Sequence, residues 1–256
     1  MELVRIDAQS GRMTGVLASP RIEGPRPAVI VIHEVLGLND DMREKAQRLA
    51  DMGYVALAPD LYSTRGRKPF CVFRTLRGLG KGEGPVFRDL DACRSWLGGR
   101  PEVDASKIGV IGFCMGGGVA LLFAARGRLG AAAVFDGAVP KDAEDLSMVC
   151  PVVAGFGGRD RIFGNGGAKL SRHLSLAGQA QDIRTYPDAG HGYLSQHSGW
   201  VAKAGAWGPM NVGFNPEAAE DSWRRVEQFF GEHLGGQLPD SGDVSAVEGS
   251  EEAPDL

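Results

Sequence analysis

One run in the middle of the chain, Gly109-Val110-Ile111-Gly112-Phe113-Cys114-Met115-Gly116-Gly117-Gly118, constrains the fold more than any other feature. Apolar, β-branched residues lead into a cysteine bracketed by glycines, and small residues follow. That order predicts a buried strand, a tight turn and a closely packed helix. A residue perched on such a turn takes a strained backbone conformation. The positions two before and two after it must lack side chains for the chain to turn so sharply. Gly112-x-Cys114-x-Gly116 has the spacing of a nucleophile elbow, with Cys in place of the usual Ser. Cys114 would then project above the sheet at a helix N-terminus, where the dipole favours negative charge on a thiolate or an oxyanion. The run is neither a GxGxxG placed at the first strand nor a phosphate loop ending in Lys-Ser/Thr.

Around this run, short apolar segments alternate with helical patterns. This predicts an α/β fold with a mostly parallel central sheet and helices on both faces. Residues 3–7 and 13–18 read as a hairpin joined at Gly11-Arg12. Further strands are predicted at 28–32, 54–58, 107–113, 131–135, 152–156 and 182–186, and helices at 40–52, 85–97, 115–125, 166–177 and 216–234. Asn39 or Asp40 suits the N-cap of the first helix, and Gly53 lies just past its end. Residues 63–84 and 196–215 lack periodicity and read as excursions near the site. The second carries Trp200, Trp207 and Phe214, which could wall a pocket. Residues 235–256 are acidic, rich in Gly, Pro and Ser, and without a basic residue, so they read as a disordered tail. Residues 1–234 are read as one domain.

With 256 residues and a formal net charge of -4, the chain suits one α/β domain and lacks the basic excess that nucleic acid or an anionic membrane surface would select. Residues 1–10 carry charges and no apolar core of a signal peptide, and the longest apolar runs are too short to span a bilayer. The four cysteines form no CxxC pair and, with the histidines, no zinc spacing. A reducing cytoplasm is the expected setting, and no metal site is expected.

A nucleophile on such an elbow is followed in the chain first by an acid and then by a histidine. The acid belongs after the second strand beyond the elbow, where Gly157-Gly158-Arg159-Asp160 follows residues 152–156. The base belongs after the last strand, where Pro187-Asp188-Ala189-Gly190-His191-Gly192 follows residues 182–186. A histidine between two glycines in a loop matches neither a core histidine nor a metal pair. His191 would take the thiol proton, and Asp160 would fix its tautomer and stabilise the imidazolium. His173 falls in a helix, His197 in an irregular stretch and His233 near the end of the last helix. Cys71, Cys93 and Cys150 have no comparable context and read as structural.

These pieces, in this order from about residue 10 to 234, resemble the dienelactone hydrolase family of α/β-hydrolases. The resemblance also takes in His33-Glu34-Val35-Leu36-Gly37-Leu38-Asn39 and Ala58-Pro59-Asp60-Leu61-Tyr62. It implies hydrolysis of a small ester or lactone through a Cys114-His191-Asp160 triad and a thioester, without metal or organic cofactor. It further implies that Glu34 helps deprotonate the thiol when substrate arrives, and that the backbone N–H groups of Val35 and Met115 form the oxyanion hole. Such a donor typically contributes roughly 100- to 1000-fold in rate. His33 is expected to pack or hydrogen-bond beside the site. One departure matters. The family holds a substrate carboxylate with two arginines, one of them a few residues past the catalytic histidine. Here the run is His191-Gly192-Tyr193-Leu194-Ser195. Arg65, Arg67, Arg74 and Arg77 are candidates for the other arginine. Two rival readings use the same residues: a redox-sensing Cys114, and a non-catalytic ligand-binding member of the fold.

Overall fold

The computed structural model of the chain describes residues 1–64, 83–196 and 208–235. The readings placed on Arg65, Arg67, Arg74, Arg77, Cys71, His197, Trp200, Trp207 and the tail beyond Gly235 lie outside the described residues.

Eight strands form one sheet in the order β1-β2-β4-β3-β5-β6-β7-β8. β1 (Glu2–Ala8) and β2 (Gly11–Ala18) make the expected hairpin, in register from Glu2 opposite Leu17 to Ala8 opposite Gly11, but Gln9-Ser10 forms the turn and Gly11-Arg12, expected there, already pairs within β2. β2 runs antiparallel to β4 (Val55–Pro59). From β4 across β3 (Arg26–Ile32), β5 (Val103–Phe113), β6 (Ala132–Phe135), β7 (Val152–Gly157) and β8 (Gln181–Tyr186) every pairing is parallel. Parallel strands need crossovers, and among the described residues five α-helices lie between or after them: α1 (Asp40–Asp51), α2 (Pro85–Gly98), α3 (Met115–Ala124), α4 (Gly166–Leu176) and α5 (Pro216–Leu234).

The continuous apolar runs follow from burial on both faces. Along β3, Ala28, Ile30 and Ile32 pack with α2, α3 and α4, whereas Val29 and Val31 pack with α1 and α5. β5 and β6 alternate in the same way, with Val110 and Val134 on the first face and Ile111 and Phe135 on the second. Each side chain leaves water on its own face, at about 25 cal/mol per Å² of apolar area.

Element ends follow local chemistry. The Asn39 side chain accepts the Met42 N–H at 3.0 Å, so Asn39, not Asp40, caps α1. Gly53 takes φ 92° just past that helix. β5 starts at Val103, earlier than the apolar pattern predicts. Its first residues include three exposed positions, and a register shift against β3 separates them from the buried part, so no periodicity announces them. A short 3-10 helix at Ala143–Leu146 was not legible either.

The turn after β5 is the tightest part of the fold. A Cβ on Gly112 would lie 2.1 Å from the Gly116 carbonyl oxygen, and a Cβ on Gly116 would lie 2.3 Å from the Ile32 carbonyl oxygen. Both obstacles are backbone. Gly116→Ala should therefore lower folding stability by about 1–3 kcal/mol or more, read as a shift of the denaturant midpoint against wild type. An unchanged midpoint would contradict this packing.

Candidate active site

Crossovers from β3 lead to one side of the sheet and those from β5 to the other, so the strand order reverses between them. Such a reversal opens a crevice at the carboxyl ends of the two strands. His33-Glu34-Val35 leaves β3 there, and Cys114 leaves β5 there. Cys114 is the N-cap of α3 with φ 53°, one of three non-glycine residues with positive φ among the described residues. Its N–H donates to the Phe135 carbonyl at 2.9 Å, which ties the elbow to the end of β6. Cys114 is partly exposed, whereas Cys93 and Cys150 are buried, with thiol pKa values pushed up by desolvation, that of Cys150 to about 12.

The loops after β7 and β8 pack backbone against backbone. Gly158 N–H donates to the Tyr186 carbonyl at 2.8 Å, and Arg159 N–H to the Ala189 carbonyl at 2.9 Å. A Cβ on Gly157 would lie 2.2 Å from the Gly190 carbonyl oxygen, which explains a glycine at the start of the acid loop. The contact brings Asp160 Oδ2 to 2.7 Å from His191 Nδ1. Both side chains are buried. Asp160 Oδ1 accepts the N–H groups of Ile162 at 2.8 Å and Phe163 at 3.0 Å, and the Phe163 ring lies beside the imidazole.

Burial alone would raise the Asp160 pKa, but the hydrogen bonds from His191 and from the Phe163 and Ile162 amides outweigh it, and the pKa falls below the ordinary carboxyl value. Burial would lower the His191 pKa. The Asp160 hydrogen bond, Cys114 and the charge of Asp136 outweigh it and raise that pKa to about 10. Cys114 thus lies close enough to act on the imidazole. Nε2, however, is buried and forms no hydrogen bond of good geometry among the described residues. Contacts of this kind often tighten only when substrate is bound.

Glu34 is buried at the end of β3, 3% exposed. Beside it, Leu61 N–H donates to His33 Nε2 at 3.1 Å, so Nε2 carries no proton and Nδ1–H donates to the Glu34 carbonyl at 2.8 Å. His33 is therefore a neutral clamp between two loops, in the supporting role expected of it. The Tyr62 hydroxyl lies 3.3 Å from the Val35 carbonyl oxygen and 3.6 Å from the Met115 sulfur. It links the loop after β3 to the start of α3. Val35 and Leu36 are exposed at the rim.

Several supports were not legible as such. Residues 208–215 brace the His191 loop: His191 N–H donates to the Met210 carbonyl at 2.9 Å and Asn215 N–H to the Tyr193 carbonyl at 3.0 Å. Lys45 of α1 is buried against Phe113, bonded to Asp41 at 2.5 Å and to Ser195 at 3.3 Å. Burial lowers its pKa against the pull of Asp41 and Glu34. Asp136, at the end of β6, is buried and bonded to Gly157 and Gly192. Its signal was an Asp-Gly pair directly after a buried strand, the same kind of position that marks Asp160. No group of three or more His, Cys, Asp or Glu side chains among the described residues is arranged to hold a metal ion. No helix there is long and apolar enough to cross a membrane.

The sequence profile of the Dienelactone hydrolase family matches residues 13–234. Proteins named "Putative carboxymethylenebutenolidase" are similar along most of their length. That of Escherichia coli (strain K12) is 30% identical, covering 90% of this chain and 86% of that protein. That of Methylorubrum extorquens is 28% identical, covering 89% and 79%. Among solved structures, a dienelactone hydrolase-like promiscuous phosphotriesterase from metagenomic libraries superposes with a TM-score of 0.74 at 27% identity, covering 91% of this chain and 98% of that one. A dienelactone hydrolase from Anabaena variabilis shares the fold with a TM-score of 0.68 at 20% identity, covering 91% and 97%. The chain belongs to the dienelactone hydrolase family of α/β-hydrolases, and as a member it is a carboxylic ester hydrolase.

Proposed function

We propose that this chain hydrolyses a small ester or lactone with Cys114 as nucleophile, His191 as base and acid, and Asp160 as the group that orients and charges His191. The reading rests on one observation above others. His191 Nδ1 is fixed on Asp160 at 2.7 Å, while Nε2 stays buried without a hydrogen bond near the strained Cys114. An imidazole held on one side by a carboxylate and left open on the other is suited to relay a proton.

In this mechanism Nε2 takes the Cys114 thiol proton and the thiolate adds to the substrate carbonyl carbon. The resulting oxyanion is met by the amides of Val35 and Met115, two residues that Tyr62 links through the Val35 carbonyl and the Met115 sulfur, and by the N-terminus of α3. His191 then protonates the leaving oxygen, and the carbon–oxygen bond breaks to leave a thioester. Water attacks that thioester as His191 takes its proton. The acid leaves, and the proton returns to the sulfur. Glu34, buried at the end of β3, is assigned the supporting role of helping His191 to deprotonate the thiol when substrate arrives. We place this chemistry in a single domain spanning residues 1–234. A redox role has less support: the other two described cysteines are buried, with thiols held protonated.

Cys114→Ala should abolish cleavage of a p-nitrophenyl ester and leave the unfolding midpoint near that of wild type. Wild-type turnover in that variant overturns the reading. Asp160→Asn should lower kcat roughly 100- to 10,000-fold. It should also bring the His191 pKa down from about 10 toward its usual 6.5, followed by NMR titration of the imidazole. The sign of the pH effect on folding follows from the raised value. The stability contributed by the His191 imidazolium is fully present below about pH 6.5 and is lost as pH rises through about 10. A His191 pKa that stays put in Asp160→Asn would contradict the coupling.

A further inference from the structure

Asp136 is a buried acid that the mechanism above does not use. It ends β6 in a left-handed conformation, φ 49°, which is costly for a residue with a side chain and persists only where its surroundings enforce it. Its Oδ1 accepts the Gly157 N–H at 2.9 Å, and its Oδ2 accepts the Gly192 N–H at 2.7 Å. Gly157 opens the turn that carries Asp160, whose own N–H donates to the Gly157 carbonyl at 3.2 Å. Gly192 directly follows His191. The preceding carbonyl, that of Phe135, accepts the Cys114 N–H at 2.9 Å. The end of this one strand is thus bonded to the loops of nucleophile, acid and base.

Resting on the hydrolytic reading above, we propose that Asp136 is a positioning residue. Its carboxylate bridges the acid loop and the base loop, and so keeps the imidazole in line between Asp160 and Cys114. It is not the orienting acid itself, because His191 Nδ1 is already engaged by Asp160 and both Asp136 oxygens face amides. The bridge needs the ionised form. A carboxylate accepts at both oxygens, whereas a protonated carboxyl or an Asn amide turns one of the two into a donor and leaves one N–H facing it. The charged and titratable groups facing Asp136 are Asp160 from the loop after β7, and His191 and Tyr193 from the loop after β8. Desolvation raises the Asp136 pKa to about 6, opposed by His191 and the two amides and reinforced by Asp160. The bridge therefore weakens as pH falls through about 6. The raised value also means that ionised Asp136 works against folding at neutral pH: its contribution to stability is present below the ordinary 3.8 and is lost as pH rises through about 6. A charge kept at that cost beside two catalytic loops fits a role in activity.

The test pairs Asp136→Asn with a titration of the wild-type protein. In a folded Asp136→Asn, kcat should fall roughly 10- to 100-fold with KM within about threefold of wild type, because the loss is of alignment and not of substrate contact. The His191 pKa should fall as well, a change that loose packing alone would not produce. In wild type, the Gly157 and Gly192 amide resonances should move together with a common midpoint near pH 6. Wild-type kcat together with an unshifted His191 pKa in Asp136→Asn overturns the proposal. If the variant does not fold, the wild-type titration decides, and two amides that do not respond to pH overturn it. The imidazole and amide signals do not depend on turnover. Failure of the Cys114 mechanism would appear as activity in Cys114→Ala and leave these signals unchanged.

Discussion

Gly112 and Gly116 face each other across the turn at Cys114 with backbone where either would carry a Cβ, and Gly116 is pressed against the last carbonyls of β3. Everything at the site depends on that contact. It sets Cys114 at φ 53° on the N-terminus of α3, beside the chain that carries Glu34 and Val35 out of the sheet. A wider turn would separate the sulfur from the Val35 and Met115 amides proposed above to meet the oxyanion. The parallel strands supply the rest of the geometry by ending together. β3, β5, β6, β7 and β8 deliver their loops to one edge, so residues far apart in the chain meet without any long-range search by flexible side chains.

The electrostatics at that edge are graded. Asp160 is ionised because its hydrogen bonds outweigh burial, and it draws the His191 pKa well above the usual value. Asp136 lies behind both loops, with burial pulling its pKa toward neutrality. Lys45 lies buried against Phe113 and ties α1 to Ser195 in the stretch that follows His191. Asp160 thus holds the imidazole, while Asp136 and Lys45 hold the stretch that follows it, at Gly192 and Ser195. The two carboxylates sit in different environments, which move their pKa values in opposite directions and suit them to the different tasks proposed above.

How much of this was legible in the sequence varies with the kind of signal. The strands stood out because burial on both faces leaves unbroken apolar runs at residues 28–32 and 152–156, and the elbow stood out because its glycines answer a steric demand. Cys114, Asp160 and His191 could be singled out by position after strands, since the fold dictates where each loop emerges. Asp136 sits in an equally telling place. An aspartate before a glycine is an ordinary turn pair, and neither its positive φ nor its two amide partners leave a mark on the sequence. The brace from residues 208–215 was hidden for a similar reason, because it acts through backbone groups at Met210 and Asn215 whose side chains say nothing about it. Strand starts shifted by a few residues where exposed polar positions mask the period, as at the beginning of β5.

The claim at the centre of this account is that bond formation occurs at the sulfur which the elbow presents. Rapid quenching of wild-type enzyme during turnover of a p-nitrophenyl ester, followed by mass spectrometry of its peptides, tests this directly. A transient acyl group is expected on the peptide containing Cys114, decaying as acid is released. Turnover with the acyl group found on another residue would contradict it.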